Sequence, residues 1–392
     1  MLIAAMILSG CGSGGNPVHS GESVGVVNGS QAETSNNTGL TSKSDIEHIS
    51  RTLSSGVEGD ADMMYPSGMD FSSLSTYKAI IQEFDLDKNQ EVITYGRNIQ
   101  SSEIHDDARD LYGELGEYRY DVFEDGGSCA LDKYMVSLSS LLSQEITFGF
   151  VEGPGSPGYN IDTYLTGKNF DFATIEQAFQ DIKAEFKKMD IEISDYYTCY
   201  SMDYETLNQE SARLKALREG HGKALKLTEE DNCYKFSLFA SAGGYPITGD
   251  STGSADKGGF EFGSMVSATY SKDGIIDMCA YAVYEVTDTA KKEAGCLSAE
   301  ELIGKIDEKY NSIIMDGTIK VTSIEFMYFP IGISGSDEVE LVPGWKILAE
   351  NTFMVQSKEN PDELIETTSY INLRFNGVTG EEILGGENGG IF

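Results

Sequence analysis

The chain has 392 residues and carries 64 Asp plus Glu against 28 Lys plus Arg, a formal charge of -36. At roughly 150 residues per domain the length predicts two or three domains, and the acidic balance argues against a surface that tracks nucleic-acid phosphates. Apart from a short apolar start, no stretch reaches the about 18–20 apolar residues that a membrane-spanning helix needs.

Met1 to Gly10 reads MLIAAMILSG and is followed by Cys11 in the order Leu8, Ser9, Gly10, Cys11. This segment resembles the lipobox of bacterial lipoproteins. The resemblance implies that Leu8, Ser9 and Gly10 admit the lipoprotein signal peptidase and that the Cys11 thiol carries a diacylglyceryl group. Two acyl chains suffice for stable anchoring, since each buried methylene contributes about 0.8 kcal/mol. Residues 12–44 are rich in Gly, Ser, Asn and Thr, a composition that buries too little apolar area to fold and reads as a tether. A signal peptide opens with Lys or Arg, whereas the first cation here is Lys43, so the natural start is expected further upstream.

Between 45 and 151 the sequence suggests strands at Glu91–Gly96, Tyr118–Phe123 and Glu145–Val151, and a short helix from Glu103 to Leu115. The Gly- and Pro-rich run 152–158 marks a boundary. From Phe172 to Met189, Ile175, Phe179, Ile182, Phe186 and Met189 recur at alternating spacings of four and three, which predicts an amphipathic helix with Asp171 as its cap. A short strand at Ile191 and Ile193 follows. A second helix from about Tyr204 has acidic residues early, basic residues late and Gly220 as its stop.

From Tyr234 the period changes to two: Tyr234, Phe236, Leu238 and Ala240 alternate with Lys235 and Ser237, the pattern of a half-buried strand. Two strands near Phe260–Tyr270 and Gly274–Val286, joined by Ser271, Lys272, Asp273 and Gly274, predict an antiparallel hairpin. Ser298 and Glu301 form a capping box, with Leu297 and Leu302 placed for a hydrophobic staple. Strands at Thr318–Phe329, Trp345–Val355 and Thr367–Phe375 complete the chain. The expected fold is α+β, with antiparallel sheets and helices packed on one face. In chain order it comprises a signal peptide (1–10), the lipidated cysteine and tether (11–44), an N-terminal α+β domain (45–151), a helix-rich middle region (159–257) and a C-terminal α+β domain (258–392).

The last 160 or so residues resemble the extracytoplasmic part of Yyc-type proteins, which regulate the cell-wall sensor kinase of Gram-positive bacteria, and their PepSY-like fold. The matching residues are Tyr234 and Phe236 before Gly244, Tyr245, Pro246 and Ile247; the capped helix at Ser298; Leu341, Pro343 and Trp345; and the turn Val378, Thr379, Gly380, Glu381. The region from Phe172 is also similar to an uncharacterised family of clostridial lipoproteins, a domain of unknown function. The Yyc-type proteins are anchored by a transmembrane helix, whereas this chain offers a lipid and a tether.

Catalytic tools are scarce. Histidine is limited to His19, His48, His105 and His221, with no HExxH-type pairing, and His105 and His221 read as surface residues. Ser75 with Lys78 and Ser254 with Lys257 match S-x-x-K, but no K-T-G completes a penicillin-recognising site. Asp250, Ser251, Thr252 and Gly253 are one residue away from D-T-G, without a partner loop. Asp85, Asp87 and Asn89 begin like an EF-hand, yet Gln90 and Gly96 stand where Gly and Glu are needed. Phosphate-binding loops are absent from the sequence.

If Cys11 is lipidated, five cysteines remain: Cys129, Cys199, Cys233, Cys279 and Cys296. An odd number leaves at least one thiol unpaired in the monomer, and buried apolar cysteine is the expected state. Among 21 Tyr, 18 Phe and one Trp, most read as core. Tyr196, Tyr197 and Tyr200 stand as the candidate ligand- or partner-binding cluster, with core packing as the competing reading.

The reading is a lipid-anchored, non-enzymatic protein on the extracytoplasmic face of the cell membrane. It would bind a protein partner or a small ligand and modulate envelope processes, without cofactor, metal or nucleic acid. Its -36 charge favours cationic peptides. Two alternatives stand beside it: a solute-binding lipoprotein that feeds a transporter, and an envelope hydrolase with an acidic site.

Overall fold

Strands hold about half of the residues that a computed structural model describes, namely 44–52, 57–153, 156–254, 259–293, 295–311, 317–357 and 363–384. The lipobox residues Leu8, Ser9, Gly10 and Cys11 lie outside the described residues. In chain order β1 (Ser44–Thr52) and β2 (Val57–Pro66) form a hairpin, and β3 (Ser75–Ile81) buries Tyr77, Ala79 and Ile81.

Next comes α1 (Leu86–Thr94), where a strand was expected at Glu91–Gly96. Its cap explains the difference. The Asp85 carboxylate accepts the Lys88 N–H at 3.0 Å, and Tyr95 ends the helix in the left-handed region at φ 52°. The EF-hand-like run is thus a helix N-terminus.

The expected helix at Glu103–Leu115 is instead the hairpin of β4 (Ile99–Arg109) and β5 (Leu115–Phe123). Asp110 accepts the N–H groups of both Tyr112 and Glu114 at 2.9 Å, a side-chain turn that reverses the chain. Strands β6 (Ser128–Asp132) and β7 (Met135–Ser139) follow, then α2 (Leu141–Ile146), which continues as a 3-10 turn over Thr147–Gly149. This helix replaces the strand expected at Glu145–Val151. A capping box drives it: Ser140 Oγ accepts the Ser143 N–H at 3.1 Å, and Ser143 Oγ accepts the Ser140 N–H at 3.0 Å.

The helix α3 (Ile175–Lys188) buries the expected stripe, but its cap is Thr174 with Gln177, not Asp171. Strand β8 (Ile193–Met202) and α4 (Tyr204–Leu217), capped by Asp203, lead to β9 (Cys233–Ala242) and β10 (Tyr245–Pro246). A small ribbon of β11 (Thr252–Ser254) and β12 (Gly259–Glu261) precedes the expected hairpin of β13 (Met265–Ser271) and β14 (Gly274–Tyr281). Then come β15 (Tyr284–Glu293), α5 (Ala299–Asn311) behind the Ser298–Glu301 box, and β16 (Gly317–Gly332), β17 (Val339–Gln356) and β18 (Leu364–Asn376).

The strands assemble into two main sheets, and the architecture is α+β. The first runs β1-β2-β16-β17-β3-β15, with β18 added along β17. Its pairs are antiparallel except β2 with β16. The second runs β10-β9-β13-β14-β7-β6-β5-β4, with β8 against β9. The second sheet is therefore an insertion within the first. Residue 81 pairs with residue 284, so the chain leaves and rejoins the first sheet at the same point. The boundaries expected at 151 and 258 are not respected by the pairing: β7 pairs with β14, and β3 with both β15 and β17. Such pairings join segments some 140 to 260 residues apart, beyond what a local reading registers.

A single apolar cluster draws on both sheets. It includes Phe326, Tyr328 and Trp345, each fully buried, together with Phe179, Ile182 and Phe186 of α3. Two of the buried tyrosines bond the backbone: Tyr328 donates to the Ser75 carbonyl at 2.7 Å, and Tyr234 donates to that of Ala173 at 2.8 Å.

A hydroxyl-lined cavity as candidate functional site

Antiparallel register places two rows of side chains on one face of the second sheet. One row reads Lys235, Thr269, Asp277, Ser139, Ser128 across β9, β13, β14, β7 and β6. The other, two residues along each strand, reads Ser237, Ser267, Cys279, Ser137, Ala130. Residues two apart share a face, so both rows look the same way. The residues between them, Phe236, Ala268, Met278, Leu138 and Cys129, form the opposite face and join the core with α3.

Over the first face stands the segment of α2 and its 3-10 turn. The two enclose a cavity of about 460 Å³, lined by Ser128, Ser137, Ser139, Ser143, Thr147 and Thr269, with Gln144, Tyr120, Lys235 and Asp277, and walled by Ile146, Phe148, Phe150 and Met202. The wall is fixed to the floor: the Ser140 N–H donates to the Ile276 carbonyl at 2.9 Å, and the Ser139 and Ser143 hydroxyls lie 3.1 Å apart. The volume falls within the roughly 300–1,000 Å³ of ligand sites. A smaller depression of about 290 Å³ lies beside Tyr95, Arg97, Asp181 and Tyr270.

Asp277 is 9% exposed. Burial pushes its carboxyl up to about 6, against the opposing pull of Lys235 and a hydrogen bond from Ser143. Lys235 Nζ sits 3.9 Å from Glu152 Oε1 and 5.6 Å from the centre of the Phe150 ring. Burial raises the Glu152 carboxyl too, with Lys235 opposing. Asp277 is the single carboxyl among the described lining residues. Among the described residues no group of three His, Cys, Asp or Glu side chains is placed to hold a metal ion, and no helix is long and apolar enough to cross a membrane.

A second polar cluster lies on the first sheet. Glu325, Lys346 and Arg374 pair in register across β16, β17 and β18. Asp250 closes over them, with its Oδ2 2.9 Å from Lys346 Nζ and 3.3 Å from an Arg374 guanidinium nitrogen. Burial works against ionisation of Asp250, but the two cations outweigh it and hold the carboxyl below its ordinary value. Burial raises Glu325, and Asp250 adds to the effect while Lys346 opposes it. The loop reaches this position because Gly263 passes against Gly249; a Cβ on Gly263 would stand 2.3 Å from that backbone. The D-S-T-G run is thus an ionic clamp that pins the inserted segment to the first sheet.

The tyrosines singled out in the sequence are not a surface cluster. Tyr197 is 2% exposed and packs on Phe179, with ring centres 4.2 Å apart. Tyr196 is 2% exposed, against Phe239 and beside Glu325. Tyr200 is 7% exposed and packs on Phe150, behind the cavity wall. The segment is a buried strand, and all three rings are core. Cys129, Cys199 and Cys233 are buried free thiols, and Cys296 is also free, whereas Cys279 is disulfide-bonded. His105 and His221 are exposed.

The cavity residues escaped the sequence reading for a definite reason. Lys235 and Ser237 were legible as the polar half of an alternating strand, which reads as a solvent face. The same half-pattern in Ser137 and Ser139, and in Ser267 and Thr269, becomes a site only once register aligns it and α2 covers it.

No family model matches the chain, and no curated protein matches it. Among solved structures it is similar to the crystal structure of an uncharacterized protein from Eubacterium rectale ATCC 33656, with a TM-score of 0.64 and 14% identity over 86% of this chain and 92% of that one. At that identity the likeness speaks for the α+β fold alone.

Proposed function

We propose that the chain is a lipid-anchored cell-surface protein that binds a small polar ligand in the hydroxyl-lined cavity of the second sheet and does not turn it over. The cavity carries this reading: hydroxyls from β6, β7, β13 and the α2 segment, one buried carboxyl and an apolar wall converge on a volume of ligand size. The lipobox with its Cys11 and the tether supply the address. A hydrolytic role is disfavoured because two-carboxylate chemistry needs a second acid facing the substrate, and Asp277 has none among the described lining residues.

The likeness to Yyc-type, PepSY-like regulators belongs to the same proposal. It rests on Tyr234, Phe236 and the Gly244–Ile247 turn, the capped helix at Ser298, Leu341, Pro343 and Trp345, and the Val378–Glu381 turn, and it makes an envelope protein such as a sensor kinase the partner that would respond to ligand occupancy. The test is thermal melting of the full chain with free amino acids, saccharides, nucleosides and short peptides as separate probes. At least one class should raise the Tm of the native chain and leave Ser137→Phe, which fills the cavity, unmoved. No shift from any class, or the same shift in both proteins, would overturn the reading, as would ligand turnover abolished by Asp277→Asn.

A further inference from the structure

Within that binding reading, and resting on it, we infer that the ligand is a neutral saccharide of one or two rings, with its hydroxyls on the Ser and Thr rows and an apolar ring face against Phe148 and Phe150.

The first argument is functional-group chemistry. Ser128, Ser137, Ser139, Thr147 and Thr269 line the cavity, and each hydroxyl both donates and accepts while carrying no charge. Ser128 and Ser139 lie on neighbouring strands, about 4.8 Å apart, Ser137 and Ser139 lie about 6.7 Å apart along one strand, Thr269 stands beyond Asp277, and Thr147 comes from the facing turn. A floor on which such hydroxyls flank a single carboxyl, Asp277, is complementary to a polyol ring, whose own hydroxyls donate to the carboxyl and exchange hydrogen bonds with the rest. It offers little to a ligand whose recognition rests on charge.

The second argument is the charge inventory. Lys235 is the one cation among the described lining residues, and it already faces Glu152 at 3.9 Å with Asp277 nearby. A phosphate or carboxylate ligand would have to displace that pairing. A zwitterionic amino acid would need Lys235 and Asp277 both available. A neutral ligand requires neither. The third argument is the wall: Phe148 and Phe150 line the cavity together with the hydroxyls. A pyranose has this division, with hydroxyls around its edge and C–H groups on its face.

Isothermal titration of the full chain tests the inference, with glucose, N-acetylglucosamine and cellobiose as neutral probes and glucose 6-phosphate, glucuronate and glycine as charged ones. At least one neutral probe should bind saturably. Binding should weaken about tenfold or more in Ser128→Ala/Ser137→Ala, the loss expected for two hydrogen bonds. Phe150→Ala should weaken it as well, and the double serine variant should keep the native Tm. Binding of charged probes in preference to neutral ones would overturn the saccharide inference and leave the binding reading standing. If none of these probes binds and the melting panel is also flat, both fall.

Discussion

Asp277 is buried and Asp250 largely shielded from water, yet their surroundings push them in opposite directions. The Asp277 carboxyl is raised to about 6, so the folded protein keeps a proton that the unfolded chain gives up at lower pH. Its stabilising contribution is present below the ordinary carboxylate value and is lost as pH rises through about 6, a loss of roughly 3 kcal/mol for two units. The Asp250 carboxyl is lowered, so its contribution is present above the ordinary value and is lost as pH falls through the depressed one. Urea unfolding should therefore show Asp277→Asn more stable than the native chain at pH 7.5 but not at pH 4. Asp250→Asn should be less stable at pH 7.5 by about 3 kcal/mol, because Lys346 and Arg374 lose their counter-ion. The figure is at the low end of the range for fully buried pairs, since the Lys346 side chain is 29% exposed. Parallel pH profiles for the two variants would refute this assignment.

At the scale of elements, what could be read from the sequence depended on whether the signal was local. The capping box at Ser298, the alternation in β9 and the turn joining β13 to β14 are short-range patterns, and the structure follows them. Replacing Ser298 with Ala should cost about 0.5–2 kcal/mol, read by denaturant titration; an unchanged midpoint would show that α5 is held by Leu302 and Ile306 alone. Three elements were misread because a turn or cap outweighed propensity. Asp85 made a helix of an apparent strand, Ser140 did the same for the residues before Val151, and the Asp110 turn made a hairpin of an apparent helix. Strand β4 is exposed on almost its whole length and offers no apolar stripe of either period. The candidate site was the least legible part. Its floor combines residues from β6, β7, β9, β13 and β14, and no window of sequence contains them together.

The whole molecule is a sheet with a second sheet inserted between β3 and β15. The two share one core, and the Asp250 clamp binds the insertion to β17 and β18. Residues 258–392, which read in sequence as a separate domain, contain β16–β18 but lack β2 and β3 of their own sheet and the β7 partner of β14. A fragment 258–392 should therefore show no cooperative thermal transition by circular dichroism, while the full chain shows one; an independently folding fragment would contradict the nested architecture.

The central claim is the proposal that the cavity between the second sheet and α2 carries a small ligand at the cell surface. Native mass spectrometry of the full chain recovered from its own cell envelope tests it most directly, alongside Ser137→Phe prepared the same way. The account predicts a retained small-molecule mass on the native chain and none on the filled variant at equal Tm. A native chain recovered bare, or the same mass retained by both, would contradict it.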